Sequence, residues 1–424
     1  MLRFASSSTG TLHAGELRIA LINYIVARQR EEGFFLRIDD GGSDEKIRVQ
    51  AMEIPPILEK FAIQADQTLY ESETLRRYQQ LAVRLVEEKK AFVCLCDEEH
   101  SCTRRCDTMS REEILQIREK NLPYTLRMRK PSEKIAYRDL LRGETVATPA
   151  EVDHFVILKA DGTPGRDFAL ACDDMMSGTT LVIGEESRIP HAARQIHVRQ
   201  TLGYSETIDY AHLPPLQKEQ GGVLSHREEE YSVKKLLLDG FLPDAIINYL
   251  LLLGYEAPTE LFTLPEAIEW FDLNKLSTEP VRFHLSKLRR LNREHLLRMD
   301  DRALSRTFRF ADPDIGKIAK LYLHTGAATL KELQEHISTL FSPKSCEGPH
   351  AEAMRTLSAL ILEAPMMERY EEFVRYLEER SGLHGDGLYI PLRLLMTGSF
   401  EGPDPSEIYP LLNPYLTEIV RCQH

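Results

Sequence analysis

Two groups of residues have the types and spacing for chemistry. Near the N-terminus, Gly10, His13 and Gly15 follow a run of small residues from Ala5 to Thr11. A loop of this composition lets a nucleotide approach the backbone closely, and a helix beginning near Gly15 points unpaired N–H groups at its phosphates. His13 then sits at the mouth. A Ser/Thr/Gly turn that only joins a strand to a helix has the same composition, and an acidic residue such as Glu16 in a first turn is favoured by the helix dipole alone. The second group is Cys94, Cys96, Cys102 and Cys106. Four thiolates close a tetrahedral structural zinc site and leave no open position, so such a metal staples the chain rather than catalysing. His100 is a rival ligand, and reduced, unliganded cysteines are the alternative.

The elements that must position these residues are legible from periodicity. Leu2 to Ala5 reads as a strand, the helix after Gly15 carries Leu17, Leu21, Tyr24 and Ile25 on one stripe, and Leu36 to Asp40 reads as the next strand: half of a βαβ unit and its return. A following helix is predicted to stop near Ile54 and restart on Pro56, since proline is tolerated in a first turn. Residues 73 to 90 form an amphipathic helix that delivers the chain to Cys94. Tyr124–Arg129 and Phe155–Leu158 read as short strands of a small α/β insert, with Arg127, Arg129 and Lys130 as candidate phosphate contacts. From Tyr231 onward helical periodicity dominates, and residues 287 to 293 carry a lysine-arginine cluster on one helix.

Composition narrows the function classes. At 424 residues, the chain is expected to hold two to four domains and can bury sizeable cores without staples. With 53 basic against 66 acidic residues, a net charge of −13 argues against nonspecific nucleic-acid binding and leaves RNA to be met by local patches. Seven cysteines in so long a chain are not a secreted disulfide framework. The longest apolar run, near Tyr249 to Gly254, is far below the ~20 residues of a membrane span, and no charged-then-apolar leader opens the chain. These features lead to the expectation of a cytoplasmic protein with no membrane partner.

Thr9-Gly10-x-x-His13-x-Gly15, preceded by Arg3-Phe4-Ala5-x-Ser7, resembles the first signature of class I aminoacyl-tRNA synthetases of the glutamyl branch. Leu36-Arg37-Ile38-Asp39-Asp40 resembles that branch's Arg-Ile-Glu-Asp strand, Asp161-Gly162-Thr163-Pro164 its Asp-Gly-x-Pro, and Val223-Leu224-Ser225-His226-Arg227 its mobile second signature, Lys-Leu/Met-Ser-Lys-Arg. The resemblance implies a Rossmann-like α/β catalytic domain on a parallel sheet at 1–90 and 160–225. It also implies an inserted acceptor-stem-binding domain at 91–159, a helical stem-contact domain at 226–300 and an all-α anticodon-binding domain at 301–424. Related synthetases carry Cys-x-Cys and Tyr-x-x-x-Cys in that insert, and Cys102 stands where the tyrosine would be.

The same resemblance implies roles. Thr9, Gly10, His13, Gly15, Glu16, Leu224 and His226 face ATP, with His13, Gly15, Ser225, His226 and Arg227 acting at the departing pyrophosphate. Arg3, Ala5, Ser7, Asp39, Arg166 and Gly184 face the amino acid. The implied activity is attachment of glutamate to tRNA by a monomer through glutamyl-adenylate, with ATP and Mg2+ as substrate and zinc as a structural metal. Departures cluster at the pocket: Arg166 replaces a tyrosine, Gly184 an arginine that neutralises a substrate carboxylate, and Val223 and His226 the two lysines. One expectation is that the positive charge has moved from position 184 to Arg166 on a neighbouring strand. The alternative is a degenerate paralogue that binds tRNA or nucleotide without activating glutamate, or that uses a different amino acid.

Overall fold

The computed structural model describes residues 1–6, 12–41, 45–98, 101–103, 105–224 and 228–422. The chain opens with β1 (Leu2–Ala5), α1 (Ala14–Gln29) and β2 (Phe34–Ile38), and β1 lies parallel to β2. α1 is buried along most of its length, from Ala14 through Ala27, so it crosses between the strands as a central helix. β2 is buried on both faces, as a parallel strand covered by helices requires. α2 (Glu45–Met52) and α3 (Ile54–Lys60) follow, with Pro55 and Pro56 in the first turn of the second, where a missing N–H costs nothing. β3 (Gln67–Tyr70) and α4 (Glu71–Glu87) complete this half.

The chain then leaves the sheet. β4 (Ala91–Cys94), α5 (Arg111–Glu119) and β5 (Thr125–Met128) come next, followed by β6 (Ile135–Asp139), β7 (Gly143–Ala147), α6 (Pro149–Val152) and β8 (Val156–Leu158). β4, β5 and β8 make a small antiparallel sheet, but β6 and β7 do not join it. Instead they form a hairpin on the edge of the main sheet. Arg127 is buried here and donates to the carbonyls of Asp97 (2.5 Å) and His154 (3.1 Å), and Arg129 donates to those of Lys89 (3.1 Å) and Asp107 (2.8 Å). These cations hold the insert together.

The chain re-enters through α7 (Arg166–Ser177), β9 (Leu181–Glu185), α8 (Ile189–Thr201) and β10 (Asp209–Leu213). The expectation that Arg166 lies on a strand is corrected: it opens α7, and Phe168–Asp174 continue as helix. Gly165 precedes its first turn, and Gly178, at φ 65°, ends it in the left-handed conformation. Residues 167 to 174 are all buried, and an apolar run buried on every side carries no period that separates helix from strand. The main sheet has seven strands in the order β3-β2-β1-β9-β10-β6-β7, and only the β6–β7 pair is antiparallel. β1 connects through α1 to its neighbour on one side, and β9 through α8 to its neighbour on the other. Their carboxyl ends flank a topological switch point, where open α/β sheets bind ligands.

The chain divides into two compact units, Met1–Leu236 with Ile247–His284, and Leu237–Ile246 with Leu285–His424. This division is coarser than the four domains expected from sequence. The second unit is helical and closes on a core that includes Leu296, Ile315, Leu323, Leu340, Leu357 and Leu392. Asp300, Asp312, Thr329 and Asp404 accept from backbone N–H groups at the starts of its helices, and a Cys346–Cys422 disulfide ties the loop after Phe341 to the chain's end. Among the described residues no helix is long and apolar enough to cross a membrane.

Candidate functional site

A pocket of about 90 Å3 opens at the switch point. Its walls are the ends of β1 and β9, the first turns of α1 and one face of α8. Of the residues expected around the amino acid, Arg3, Ala5, Arg166 and Gly184 line it, and Glu16 joins them from α1. Asp39, the residue after β2, sits beside Arg166. Ser7, Thr9 and Gly10, and all of Ser225, His226 and Arg227, lie outside the described residues, as does His100.

Charge in the pocket is largely matched within the protein. Arg3 binds the fully buried Asp174 through Nε at 2.5 Å and Nη2 at 3.2 Å, and Arg199 approaches the same carboxylate at 3.6 Å. Arg37, fully buried, pairs with Asp39, Glu71 and Asp173, the last at 2.8 Å. Burial alone would lower its proton affinity, but Glu71 and Asp173 outweigh that and hold it charged. Arg166 Nη1 lies 2.8 Å from Asp39 Oδ2, and its Nη2 donates to the Ser6 carbonyl at 3.0 Å. Burial, then repulsion from Arg188, Arg37 and Arg3, pushes the Arg166 guanidinium down to about 9, still cationic at neutral pH. His191 Nδ1 meets Asp167 at 2.8 Å, and the buried His212 meets Asp139 at 2.6 Å.

At the helix end, the His13 backbone N–H donates to Glu16 Oε2 at 3.2 Å. Glu16 therefore serves the first turn of α1 and lines the pocket at once. His13 is buried, its ring edge-on to Tyr231 at 6.1 Å between centroids. A Cβ on Gly15 would stand 3.3 Å from Glu185 Oε1, so glycine lets α1 pack tightly against the end of β9. Leu224 is buried and its N–H donates to the Leu216 carbonyl at 2.8 Å, while Val223 beside it is exposed.

The four cysteines converge outside this pocket. Their sulfur atoms lie within 4.8 Å of one another, with Cys96 Sγ 3.9 Å from both Cys102 Sγ and Cys106 Sγ. A tetrahedron with zinc–sulfur bonds near 2.3 Å has sulfur–sulfur edges of about 3.8 Å, so the donor set fits zinc. The Cys96 N–H donates to Cys94 Sγ at 3.4 Å, a bond that stabilises a thiolate. Burial pushes the Cys94 thiol up to about 12 and raises Cys106 as well, so these two thiols keep their protons unless a metal displaces them.

Sequence reading missed Arg188, His191 and Gln195, which line the pocket. A signal existed: positions 188, 191, 192 and 195 follow the i, i+3, i+4, i+7 spacing of one helix face, and a polar stripe there faces a cleft rather than a core.

A parallel sheet with its pocket at the switch point, an N-terminal helix against it and an inserted subdomain is an architecture that a class I aminoacyl-tRNA synthetase catalytic domain has, and the matching family is of that class. The family described as tRNA synthetases class I (E and Q), catalytic domain, matches residues 1–290. The chain belongs to this family, in its glutamate–tRNA ligase branch. It is 46% identical over 427 residues to glutamate–tRNA ligase 2 of Sulfurovum sp. (strain NBC37-1), covering 99% of this chain and 100% of that one. Against glutamate–tRNA ligase 2 of Sulfurimonas denitrificans the identity is 40% over 436 residues, again with 99% and 100% covered. In fold it resembles the crystal structure of a glutamate tRNA ligase from Elizabethkingia meningosepticum in complex with its amino acid, with a TM-score of 0.78 at 23% identity over 99% of this chain and 98% of that one.

Proposed function

We propose that this chain attaches glutamate to tRNA in the cytoplasm, using ATP to form glutamyl-adenylate and then passing the acyl group to the terminal adenosine. The observation that supports it is the arginine-bearing pocket at the ends of β1 and β9, in a chain that aligns end to end with glutamate–tRNA ligases. Arg3, Ala5, Ser7, Asp39 and Arg166 orient the amino acid. Thr9, Gly10, His13, Gly15 and Leu224 border the nucleotide, where the start of α1 offers N–H groups to phosphate. Mg2+ bound with ATP neutralises phosphate charge. Ser225, His226 and Arg227 act on the departing pyrophosphate, with His226 a cation once phosphates raise its proton affinity. The protein supplies orientation and charge more than covalent chemistry.

Cys94, Cys96, Cys102 and Cys106 hold a structural zinc in the insert at 91–159, which grips the acceptor stem. The helical stretch 226–300 contacts the stem, and 301–424 reads the anticodon. Within the lysine-arginine cluster Arg289 is engaged with Glu332 at 2.6 Å, which leaves the exposed Lys287 as the better phosphate contact. The test incubates the protein with ATP, Mg2+, labelled glutamate and total tRNA and counts acid-precipitable label. Label on tRNA is expected, and its absence, with tRNA still retained on a filter, overturns the reading in favour of a paralogue that only binds.

A further inference from the structure

The pocket holds a cation that no carboxylate among the described residues meets at ion-pair distance, although Glu16, which accepts from the His13 N–H, and Glu185, which accepts from the Ser187 hydroxyl, line the same walls. Arg3 is neutralised by Asp174 and Arg166 by Asp39, while Asp167 is taken by His191 and Arg194. Arg188, half-buried at the start of α8, lines the same pocket and has no hydrogen bond or ion pair among the described residues. Its charge lies close enough to Arg166 to be the leading charge acting on that guanidinium, and the action is repulsive. Two like charges facing one cavity disfavour each other until an anion enters between them.

The space for that anion is next to Arg188. Gly184, on β9 four residues earlier in the chain, lines the pocket, and a Cβ built there would meet only Arg188 Cβ, at 4.0 Å. A larger residue at 184 would fill the volume through which the Arg188 side chain reaches the cavity. Two helical turns further along the same face, Gln195 is buried to 6% exposure with its Oε1 lacking a partner among the described residues. An orphaned buried acceptor is costly and calls for a donor, so this part of the wall suits the ammonium group of an amino acid, with its carboxylate left to Arg188.

Resting on the proposed glutamate–tRNA ligase activity, we infer that Arg188 receives the side-chain carboxylate of the amino-acid substrate, through the space that Gly184 leaves open. A guanidinium presents paired N–H donors in the plane that a carboxylate's two oxygens accept, which makes arginine the fitting residue for this task. Arg188 is then the residue that separates glutamate from glutamine, because the neutral amide offers it a single acceptor oxygen and no charge, and leaves the Arg166–Arg188 repulsion in place.

The experiment titrates glutamate, glutamine and ATP calorimetrically into the full chain and into Arg188→Ala and Arg188→Lys variants, alongside the tRNA-charging assay. Arg188→Ala is expected to weaken glutamate binding about thirtyfold or more and to raise KM for glutamate with little change in kcat. Its ATP affinity and melting temperature stay at wild-type values, and Arg188→Lys recovers part of the loss. Unchanged glutamate affinity in Arg188→Ala overturns the inference, and so does an equal loss of glutamate and ATP, which would put a phosphate at this site. Wild-type protein that binds glutamate through Arg188 but leaves tRNA unlabelled supports the inference and overturns the ligase reading. Charging that survives Arg188→Ala with the same KM does the reverse.

Discussion

Arg166 Nη1 and Asp39 Oδ2 stand 2.8 Å apart across the pocket, one at the start of α7 and the other just after β2. The guanidinium that the sequence adds opposite Gly184 is therefore matched by a carboxylate of the protein, and Arg37 leans on that same carboxylate. The Asp39→Asn variant strips a counter-charge from two arginines at once. Breaking a buried ion pair from one side costs about 3 to 5 kcal/mol, and Arg166 is partly exposed, so a loss near the lower figure is expected in urea denaturation. A change below about 1 kcal/mol would mean that Glu71 and Asp173 carry Arg37 alone.

Gly165 makes the turn into α7 possible. A Cβ there would lie 2.1 Å from the Val156 carbonyl oxygen, which is backbone and cannot swing aside. Gly165→Ala must push α7 away from β8, at a cost of about 1 to 3 kcal/mol, and carry Arg166 with it. Thermal melting and KM for glutamate should both change. An unaltered melting temperature would show that this junction yields without cost.

Zinc content is checked by atomic absorption on protein purified without added metal. One zinc per chain is expected, with Cys102→Ala losing it and melting earlier. Because the Cys94 thiol is held up to about 12 without metal, rebinding must release protons, and zinc affinity should fall steeply as pH drops from 8 to 6, in the manner of about one order of magnitude per proton released per pH step. Wild-type affinity independent of pH would contradict thiolate ligation.

The buried Asp139–His212 pair gives a pH dependence with a definite sign. Burial would raise the Asp139 pKa, but His212 and the N–H groups of Leu141 and Arg142 outweigh it and hold the carboxyl below its usual range. A carboxyl depressed in the folded state stabilises the fold above its unfolded pKa of about 3.9 and loses that contribution as pH falls through the folded value. Asp139→Asn should be less stable than wild type at pH 7 by about 1 to 3 kcal/mol, with the gap narrowing below about pH 4. Urea midpoints of the two proteins measured from pH 7 to pH 3 check this, and a gap that stays constant throughout rules the pair out as the source.

The sequence by itself determined the β1-α1-β2 unit, the helical second half and the four-cysteine cluster. Each of these rests on short-range spacing: Leu17, Leu21 and Ile25 repeat at helical intervals, and Cys94 to Cys106 sit close along the chain. Tertiary structure decided the rest. Phe168–Asp174 is a helix although its apolar run reads equally well as a strand, because burial on all sides erases the period that would tell them apart. The β6–β7 hairpin pairs with β10 on the main sheet rather than with the strands beside it in sequence, an edge-pairing choice that local pattern does not encode. Most consequential is the partnering of charge. Arg3 finds Asp174 across 171 positions and Arg166 finds Asp39 across the sheet, leaving Arg188 with no ion pair among the described residues. Coulomb energy depends on distance in space, and only the folded chain sets which charges are close.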